Sequence, residues 1–315
     1  MASGLERLAR LKSVEYGARN VNLYHLVAAD GEPLPPAEPG AHIDIEISSN
    51  FRRSYSLINS DNSPHEYVIG VLANAKGRGG SQAWHRESVV GNVYSISKPR
   101  NNFALPQVDE AWLFAGGIGI TPIINMYRSL KQQKKVARLF YWVRSSEDIL
   151  FADELADDPE VKILITGEEH LDGPKISELV EIAPTHAHLF CCGPSGMLDE
   201  YETASASRPR DMVHRERFAG VEKPALRTGF TVYLARQGIS LSVEPGQTIL
   251  GACLQAGVDV PYSCEEGMCG ACEASVVDGE VDHRDTFRVA EDHDRLRTMM
   301  ICCSVARNRE LKLDL

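Results

Sequence analysis

Apolar and polar residues alternate in short runs over the first third of the chain, then give way to continuous apolar runs. AHIDIEIS (41–48) alternates as a half-buried strand does. EYVIGVLA (66–73) and GNVYSIS (91–97) are also strand-like, enriched in Val, Ile and Tyr. GEPLPPAEPG (31–40) is a Pro/Gly loop, excluded from helix and from a central strand. Short strands broken by turn residues over 7–100 predict a small antiparallel barrel.

The pattern changes near residue 104. AWLFAGGIGITPIINMYRSL (111–130) opens with a continuous apolar run, as a buried parallel strand does. It breaks at GGIG and resumes as a helix with Pro122 in its first turn, where proline is tolerated. ARLFYWVRS (137–145) and VKILITG (161–167) read as further strands, DILFADELA (148–156) as a helix, and HAHLFCCGPSGMLDEY (186–201) as strand–turn–helix. Alternating strand and helix predicts a doubly wound α/β domain.

AGVEKPALRTG (219–229) reads as a linker. Beyond it, FTVYLARQG and ISLSVEPGQ form a hairpin turning at Gly238, and TILGACLQAGV (248–258) forms a helix with Thr248 as N-cap and Gly257 as stop. ASVVDGEVDH (274–283) reads as a hairpin turning at Asp278-Gly279, and the closing MMICCSVARNRELKLDL carries Cys302 and a strand. Three domains are expected, over 1–103, 104–222 and 223–315.

Charge and composition narrow the function. The 315 residues carry 44 acidic and 33 basic side chains, a net charge of −11, which excludes the basic face of a nucleic-acid binder. An acidic surface could steer a basic protein partner. No apolar run approaches the roughly 18 residues of a membrane span. The N-terminal MASGLERLARLKSVEYG lacks an apolar signal core, and eight cysteines are no disulfide density, so a reducing cytoplasm is expected. The chain is read as a monomer.

The cysteines carry the strongest signal. Cys264, Cys269 and Cys272 stand at C-x4-C-x2-C spacing, and Cys302 follows 29 intervening residues later. That is the plant-type spacing for a [2Fe-2S] cluster. Gly267 and Gly270 let the loop turn tightly and aim backbone N–H groups at the sulfurs. A structural zinc site is the alternative, but it usually uses two short C-x2-C hooks, and only one is present. Cys302 and Cys303 compete as fourth ligand, and on a strand they would face opposite sides. Cys253 reads as core.

Two further regions carry binding chemistry. In RRSYSL (52–57), Arg53 and Tyr55 share a strand face, with Ser56 adjacent. A cation beside an aromatic ring and a hydroxyl suits a planar, phosphorylated cofactor. An exposed strand with Arg and Tyr is the plainer reading. GRGGSQAWH (77–85) leads through Gly79 and Gly80 into a helix with Ser81 as N-cap, either a phosphate site or a capped surface helix. In the middle third, Gly116-Gly117-Ile118-Gly119 and Gly193-Pro194-Ser195-Gly196 both lie at the carboxyl ends of strands, where such folds bind ligands. GGIG does not fit the G-x-G-x-x-G fingerprint, yet the pair of turns points to a dinucleotide.

R-x-Y-S followed by G-R-G-G-S resembles the flavin domain of the ferredoxin–NADP reductase superfamily, and GGIGITP with CCGPSGM resembles its pyridine-nucleotide domain. The resemblance implies that Arg53, Gly79, Gly80 and Ser81 hold a flavin phosphate. Tyr55 and Ser56 then pack against and bond the isoalloxazine, within the run Arg53-Ser54-Tyr55-Ser56. It also implies that Gly117, Gly119, Gly193 and Pro194 let the nucleotide approach, with Thr121 and Cys192 near the hydride-transfer position. Plain burial is the alternative for Cys191 and Cys192. Phe218 would stack on the flavin or serve only as an apolar anchor.

The order flavin barrel, nucleotide domain, C-terminal β-grasp ferredoxin resembles the family of phthalate dioxygenase and vanillate demethylase reductases over essentially the whole chain. DGEVDHRD and the closing LKLDL add to the likeness. The family pattern implies Cys302 as fourth ligand and FMN as the flavin. It also implies NADH as donor, Arg144 with Ser145 being a weak 2′-phosphate site, and a Rieske-type oxygenase as electron acceptor. The alternatives are an FAD reductase serving another monooxygenase and a redox-sensing module. A bare electron carrier would not need the two glycine turns.

Overall fold

The computed structural model describes residues 7–48, 51–75, 79–167, 173–218, 228–262, 264–265, 267–288 and 290–315. They fall into two compact units, Glu6–Phe218 and one beginning at Ala219.

The first unit opens with a six-stranded antiparallel sheet. Its strands are β1 (Arg7–Ala18), β2 (Val21–Ala28), β3 (His42–Ser48), β4 (Phe51–Ser56), β5 (Glu66–Leu72) and β6 (Val93–Ile96). The order is β4-β3-β6-β1-β2-β5. Its edges meet where Leu57 bridges Ile69 and the Ile58 N–H donates to the Val68 carbonyl (2.9 Å), so the sheet closes as a barrel. Helix α1 (Gly80–Glu87) carries Trp84 into the core, between Tyr24 and Tyr94. Residues 31–40 form the expected loop apart from one bridge at Ala37.

Two local expectations fail in the barrel. Ser81 is not an N-cap: Gly79, at φ 86°, occupies that position, and the Ser81 hydroxyl accepts from the Asn74 N–H (3.2 Å). Asp44 does not face solvent, as the alternation of β3 implied. Ile43, Asp44 and Ile45 are all fully buried, because barrel closure and the flanking arginines cover both faces.

The same unit continues with five parallel strands: β7 (Glu110–Gly116), β8 (Val136–Val143), β9 (Val161–Ile165), β10 (His188–Cys192) and β11 (Val213–Glu216), in the order β11-β10-β7-β8-β9. Helices α2 (Ile120–Gln132), α3 (Ala152–Leu155), α4 (Ile176–Ile182) and α5 (Ser195–Ser205) connect them. Trp112 and Phe114 of β7 pack with α4 and α5 on one face; Ala111, Leu113 and Ala115 pack with α2 on the other. Both faces are covered, which explains the continuous apolar runs. The helix expected over 148–156 shrinks to four residues, since Phe151 adopts a left-handed φ of 65°.

The core between α2 and the parallel sheet also includes Ala18, Val21, Leu23 and Ile58 from the barrel, so barrel and α/β layer share one hydrophobic interior. Polar ties cross the seam. Asn125, itself buried, donates to the Leu57 carbonyl (3.1 Å) and accepts from the Ser60 hydroxyl (2.8 Å). Arg19 of the β1–β2 turn forks onto Asp148 (2.9 and 2.7 Å).

The second unit holds β12 (Phe230–Leu234), β13 (Ile239–Val243), α6 (Ile249–Gln255), β14 (Glu273–Asp278), β15 (Val281–Asp282), α7 (Ala290–Leu296), β16 (Thr298–Met300), β17 (Val305–Ala306) and β18 (Glu310–Leu313). Its mixed sheet runs β13-β12-β18-β14-β16, and β15 pairs with β17. Hairpin, helix and a parallel β12–β18 pair make the β-grasp arrangement. Thr248 caps α6, its hydroxyl accepting from the Gly251 N–H (3.0 Å). The hairpin expected over 274–283 does not form: Gly279 (φ 99°) turns the chain away, and β15 joins β17 instead of β14. Nor does Cys302 lie on a strand. It sits in a tight turn after β16, where the Cys303 and Ser304 N–H groups both donate to the Met300 carbonyl (3.2 and 2.9 Å).

Candidate functional site

The order of the parallel strands reverses between β7 and β10, and ligands in such sheets bind in the crevice at that point. The two glycine turns leave these strands side by side. A Cβ on Gly116 would lie 2.6 Å from Pro194 Cδ and 2.7 Å from Met197 Sδ; one on Gly119 would collide with the Cys192 carbonyl and the Gly193 nitrogen. Backbone therefore packs directly on backbone, which only glycine permits. At Gly117 the demand is different: φ is 53°, and its Cβ position faces open space.

Thr121, the second residue of α2, is buried, donates its hydroxyl to the Ile118 carbonyl (3.0 Å) and turns its methyl toward Gly70 of β5. A Cβ at Gly70 would lie 2.8 Å from that methyl. Thr121 is thus where the first glycine turn meets the barrel.

Cys192, at the end of β10, is completely buried, and burial holds its thiol protonated. Its register partner is Glu216 of β11. The Glu216 Oε2 is shielded and has no hydrogen-bond partner among the described residues, although the residue as a whole is only half-buried. Burial pushes this carboxyl up to about 8. Glu216 is not legible from the sequence alone. Nothing in HRERF marks the carboxylate until β11 is known to dock on β10. Phe218, two residues on, is the last described residue of this unit and is exposed.

On the barrel side, β4 presents the run Arg53-Ser54-Tyr55-Ser56. Arg53 extends over the start of α1: a Cβ on Gly80 would lie 2.6 Å from Arg53 Nε. A guanidinium is thereby held at the end of a helix whose first N–H groups have no partner within the helix. Ser54 donates to the buried Asp44 (2.6 Å), which also receives Arg52 (2.9 Å) and Arg100 (2.8 Å). That carboxylate fixes the strand and engages the Ser54 hydroxyl. The Tyr55 and Ser56 hydroxyls are shielded yet have no partner among the described residues. Burial pushes the Tyr55 phenol up and keeps it neutral. Two orphaned hydroxyls and a guanidinium at a helix start fit a phosphorylated planar group that bonds both hydroxyls.

In the second unit, four thiols converge. Cys302 lies beside Cys264 and Cys272, and Cys269 beside Cys264. Cys264, Cys272 and Cys302 are buried, and Cys269 is half-buried. The Met268 N–H donates to Cys264 Sγ (3.4 Å) and the Ala271 N–H to Cys269 Sγ. Gly267 and Gly270 hold left-handed φ values of 72° and 73°. Neither has room for a side chain, being backed by Cys303 and the Phe287 ring respectively. The Thr286 and Phe287 N–H groups clamp the Gly267 carbonyl (3.0 and 3.2 Å). Crowded thiols with N–H donors aimed at sulfur suit a metal–thiolate cluster, which takes them deprotonated.

The comparisons agree with this geometry. The family model for the 2Fe-2S iron-sulfur cluster binding domain matches residues 232–307. The chain is 40% identical over 307 residues to a phenoxybenzoate dioxygenase subunit beta of Ectopseudomonas oleovorans, covering 97% of this chain and 96% of that one. It is 36% identical over 312 residues to a phthalate dioxygenase reductase of Burkholderia cepacia, with coverage of 97% and 96%. The chain belongs to the phthalate dioxygenase reductase family. A solved structure of a phthalate dioxygenase reductase, described as a modular structure for electron transfer from pyridine nucleotides to [2Fe-2S], superposes with a TM-score of 0.78 at 35% identity, over 98% of this chain and 97% of that one. As a member of this family the chain is an oxidoreductase, with reductase-type barrel and α/β layers followed by a [2Fe-2S] ferredoxin domain. Among the described residues no helix is long and apolar enough to cross a membrane.

Proposed function

We infer that this chain is the NADH-dependent reductase component of an aromatic oxygenase or O-demethylase system, holding FMN and a [2Fe-2S] cluster. The observation that carries the reading is their conjunction in one chain: paired glycine turns at a strand-order switch abutting a barrel with orphaned Tyr55 and Ser56 hydroxyls, and a converged four-thiol set. The phthalate dioxygenase reductases to which the chain is similar supply the functional class.

Arg53 and the α1 start, with Gly79, Gly80 and Ser81, bind the flavin phosphate. Tyr55 and Ser56 orient the ring through the two hydroxyls left without partners, and Ser54 holds its strand through Asp44. Gly117, Gly119, Gly193 and Pro194 admit the NADH pyrophosphate, and Thr121, at the seam, sets the depth to which the nicotinamide enters. Cys192 and Glu216 bound the crevice with a neutral thiol and a protonated carboxyl. Neither places a negative charge where the pyridinium product forms. Phe218 closes the flavin face. Flavin, when bound, takes two electrons together from a hydride and gives them up singly, which joins NADH to a one-electron cluster. Cys264, Cys269, Cys272 and Cys302 hold that cluster.

Domain limits of 1–103, 104–222 and 223–315, a monomeric state, a cytoplasmic location and a Rieske-type oxygenase as protein acceptor complete the reading. Acid release of the flavin and its chromatographic identification, with iron and acid-labile sulfide assays, tests it. FMN with two irons and two sulfides per chain is expected for a [2Fe-2S] protein. FAD, or a chain without iron, overturns it.

A further inference from the structure

Asp285 and His293 form a shielded polar pair with no part in the flavin, nucleotide or cluster sites. The Asp285 side chain is wholly shielded from solvent, and that of His293 is 8% exposed. One Asp285 oxygen, Oδ2, accepts from the Arg288 N–H (3.1 Å). The other, Oδ1, has no hydrogen-bond partner among the described residues, and neither has His293 Nδ1. His293 Nε2 stands 3.5 Å from Oδ1, beyond the usual N–H···O range of about 2.7–3.2 Å. The neighbouring arginines are engaged by other acids: Arg288 forks onto Glu273 (2.6 and 2.7 Å), and Arg284 Nε donates to Asp282 (2.8 Å). A shielded carboxylate with so little support calls for a cation.

A third donor completes a ligand set. The His283 ring stacks on His293, 3.8 Å between centroids and 20° from parallel. One ligand atom from each of His283, Asp285 and His293 lies within 4.8 Å of the other two. Tetrahedral coordination with bonds of about 2.0–2.2 Å sets ligand atoms roughly 3.4 Å apart. Asp285 and His293 already stand at that spacing, and His283, the less buried ring, closes the set by turning about its soft Cβ–Cγ bond. Two imidazoles and a carboxylate suit a divalent transition ion such as zinc, whereas Mg2+ and Ca2+ take oxygen donors.

We propose that His283, Asp285 and His293 bind Zn2+, with water in the fourth position, and that the ion ties the chain after β15 to α7. The tie lies against the cysteine loop. The Thr286 and Phe287 N–H groups donate to the Gly267 carbonyl (3.0 and 3.2 Å), and a Cβ on Gly267 would lie 2.9 Å from Asp285 Cα. Zinc held here braces the segment on which that loop rests.

The test uses the full-length holoprotein as parent, as His283→Phe, which keeps the stacked ring, and as Asp285→Asn, which keeps an acceptor for the Arg288 N–H. Each is freed of loose metal and equilibrated with Zn2+, and bound zinc, iron and sulfide are assayed. Zinc K-edge X-ray absorption is recorded on the parent. Expected are one zinc per parent chain with iron unchanged, and a first shell of nitrogen and oxygen that includes two imidazoles. Both variants should bind zinc more weakly by at least the roughly 10-fold that even outer-shell changes cost. A parent that takes up no zinc overturns the proposal, as does undiminished uptake in both variants. Sulfur in the zinc shell also overturns it, because the ion would then sit at the cysteines. The parent's absorption spectrum decides the matter even where a variant fails to fold, since a shell without two imidazoles is incompatible with this site.

Discussion

Glu216 stands directly opposite Cys192 in the parallel pairing of β11 with β10, at the carboxyl ends of the two strands. A carboxyl with a shielded oxygen beside a buried thiol has a consequence that can be measured in the folded protein. The Glu216 carboxyl is raised from its ordinary 4.5 to about 8 by burial. Between those values the folded chain holds a proton that the unfolded chain has released. Stability therefore declines as pH rises through this window and levels off above it. Thermal melting of nucleotide-free protein from pH 5 to 9 on the order of half-unit steps should show that decline, and Glu216→Gln should flatten it. An unchanged slope in the variant would assign the titration elsewhere.

Asn125 ties α2 to the barrel through Leu57 and Ser60. Asn125→Ala leaves the Leu57 carbonyl and the Ser60 hydroxyl without this partner, at a cost of about 1–3 kcal/mol. Urea unfolding followed by tryptophan fluorescence measures it. Because the cysteine set belongs to the other compact unit, the iron content of the variant should equal that of the parent.

Gly119→Ala has no space for its methyl, which would meet the Cys192 carbonyl and the Gly193 nitrogen. The two turns must separate, and small displacements at a hydride-transfer geometry are costly. NADH–ferricyanide activity should fall on the order of 10- to 100-fold, with flavin content unchanged. A variant with parental kinetics would contradict the assignment of these turns to NADH binding.

Arg53→Leu removes the cation held at the start of α1. A charge-assisted hydrogen bond to phosphate is worth about 1.5–3 kcal/mol, so FMN should bind about 10- to 100-fold more weakly. Fluorescence titration of the flavin-stripped protein reads this directly. Riboflavin, which has no phosphate, should bind parent and variant equally.

Cys272→Ser should abolish the visible spectrum of the cluster and cytochrome c reduction while leaving NADH–ferricyanide activity near the parental level. Cytochrome c reduction retained in a cluster-free variant would place electron exit at the flavin rather than at the thiol set.

Most of this architecture was legible from local pattern. Apolar runs ending in glycine turns identified β7 and β10, because strands covered on both faces exclude polar residues. The cysteine spacing singled out Cys264, Cys269 and Cys272, and the family pattern added Cys302, which the structure brings beside them. Other elements were missed for a common reason. The strand β11, Val-His-Arg-Glu, has no strand pattern of its own and is ordered by docking on β10. Asp44 looked solvent-facing but is fully buried, with Arg52 and Arg100 reaching it from elsewhere in the barrel. DGEVDH looked like a hairpin, yet β15 bonds to β17, which lies more than twenty residues later.

Short-range order along the chain thus determined the three-part architecture, the glycine turns and the Cys264-Cys269-Cys272 loop, since each depends on spacing and side-chain type within a few turns. The tertiary structure decided how distant groups meet. It set the two glycine turns backbone to backbone, turned Thr121 onto Gly70, put Glu216 opposite Cys192 and laid Cys303 on Gly267. Those contacts depend on strand order and on closure of the sheet, which residues remote in sequence specify together and no local stretch encodes.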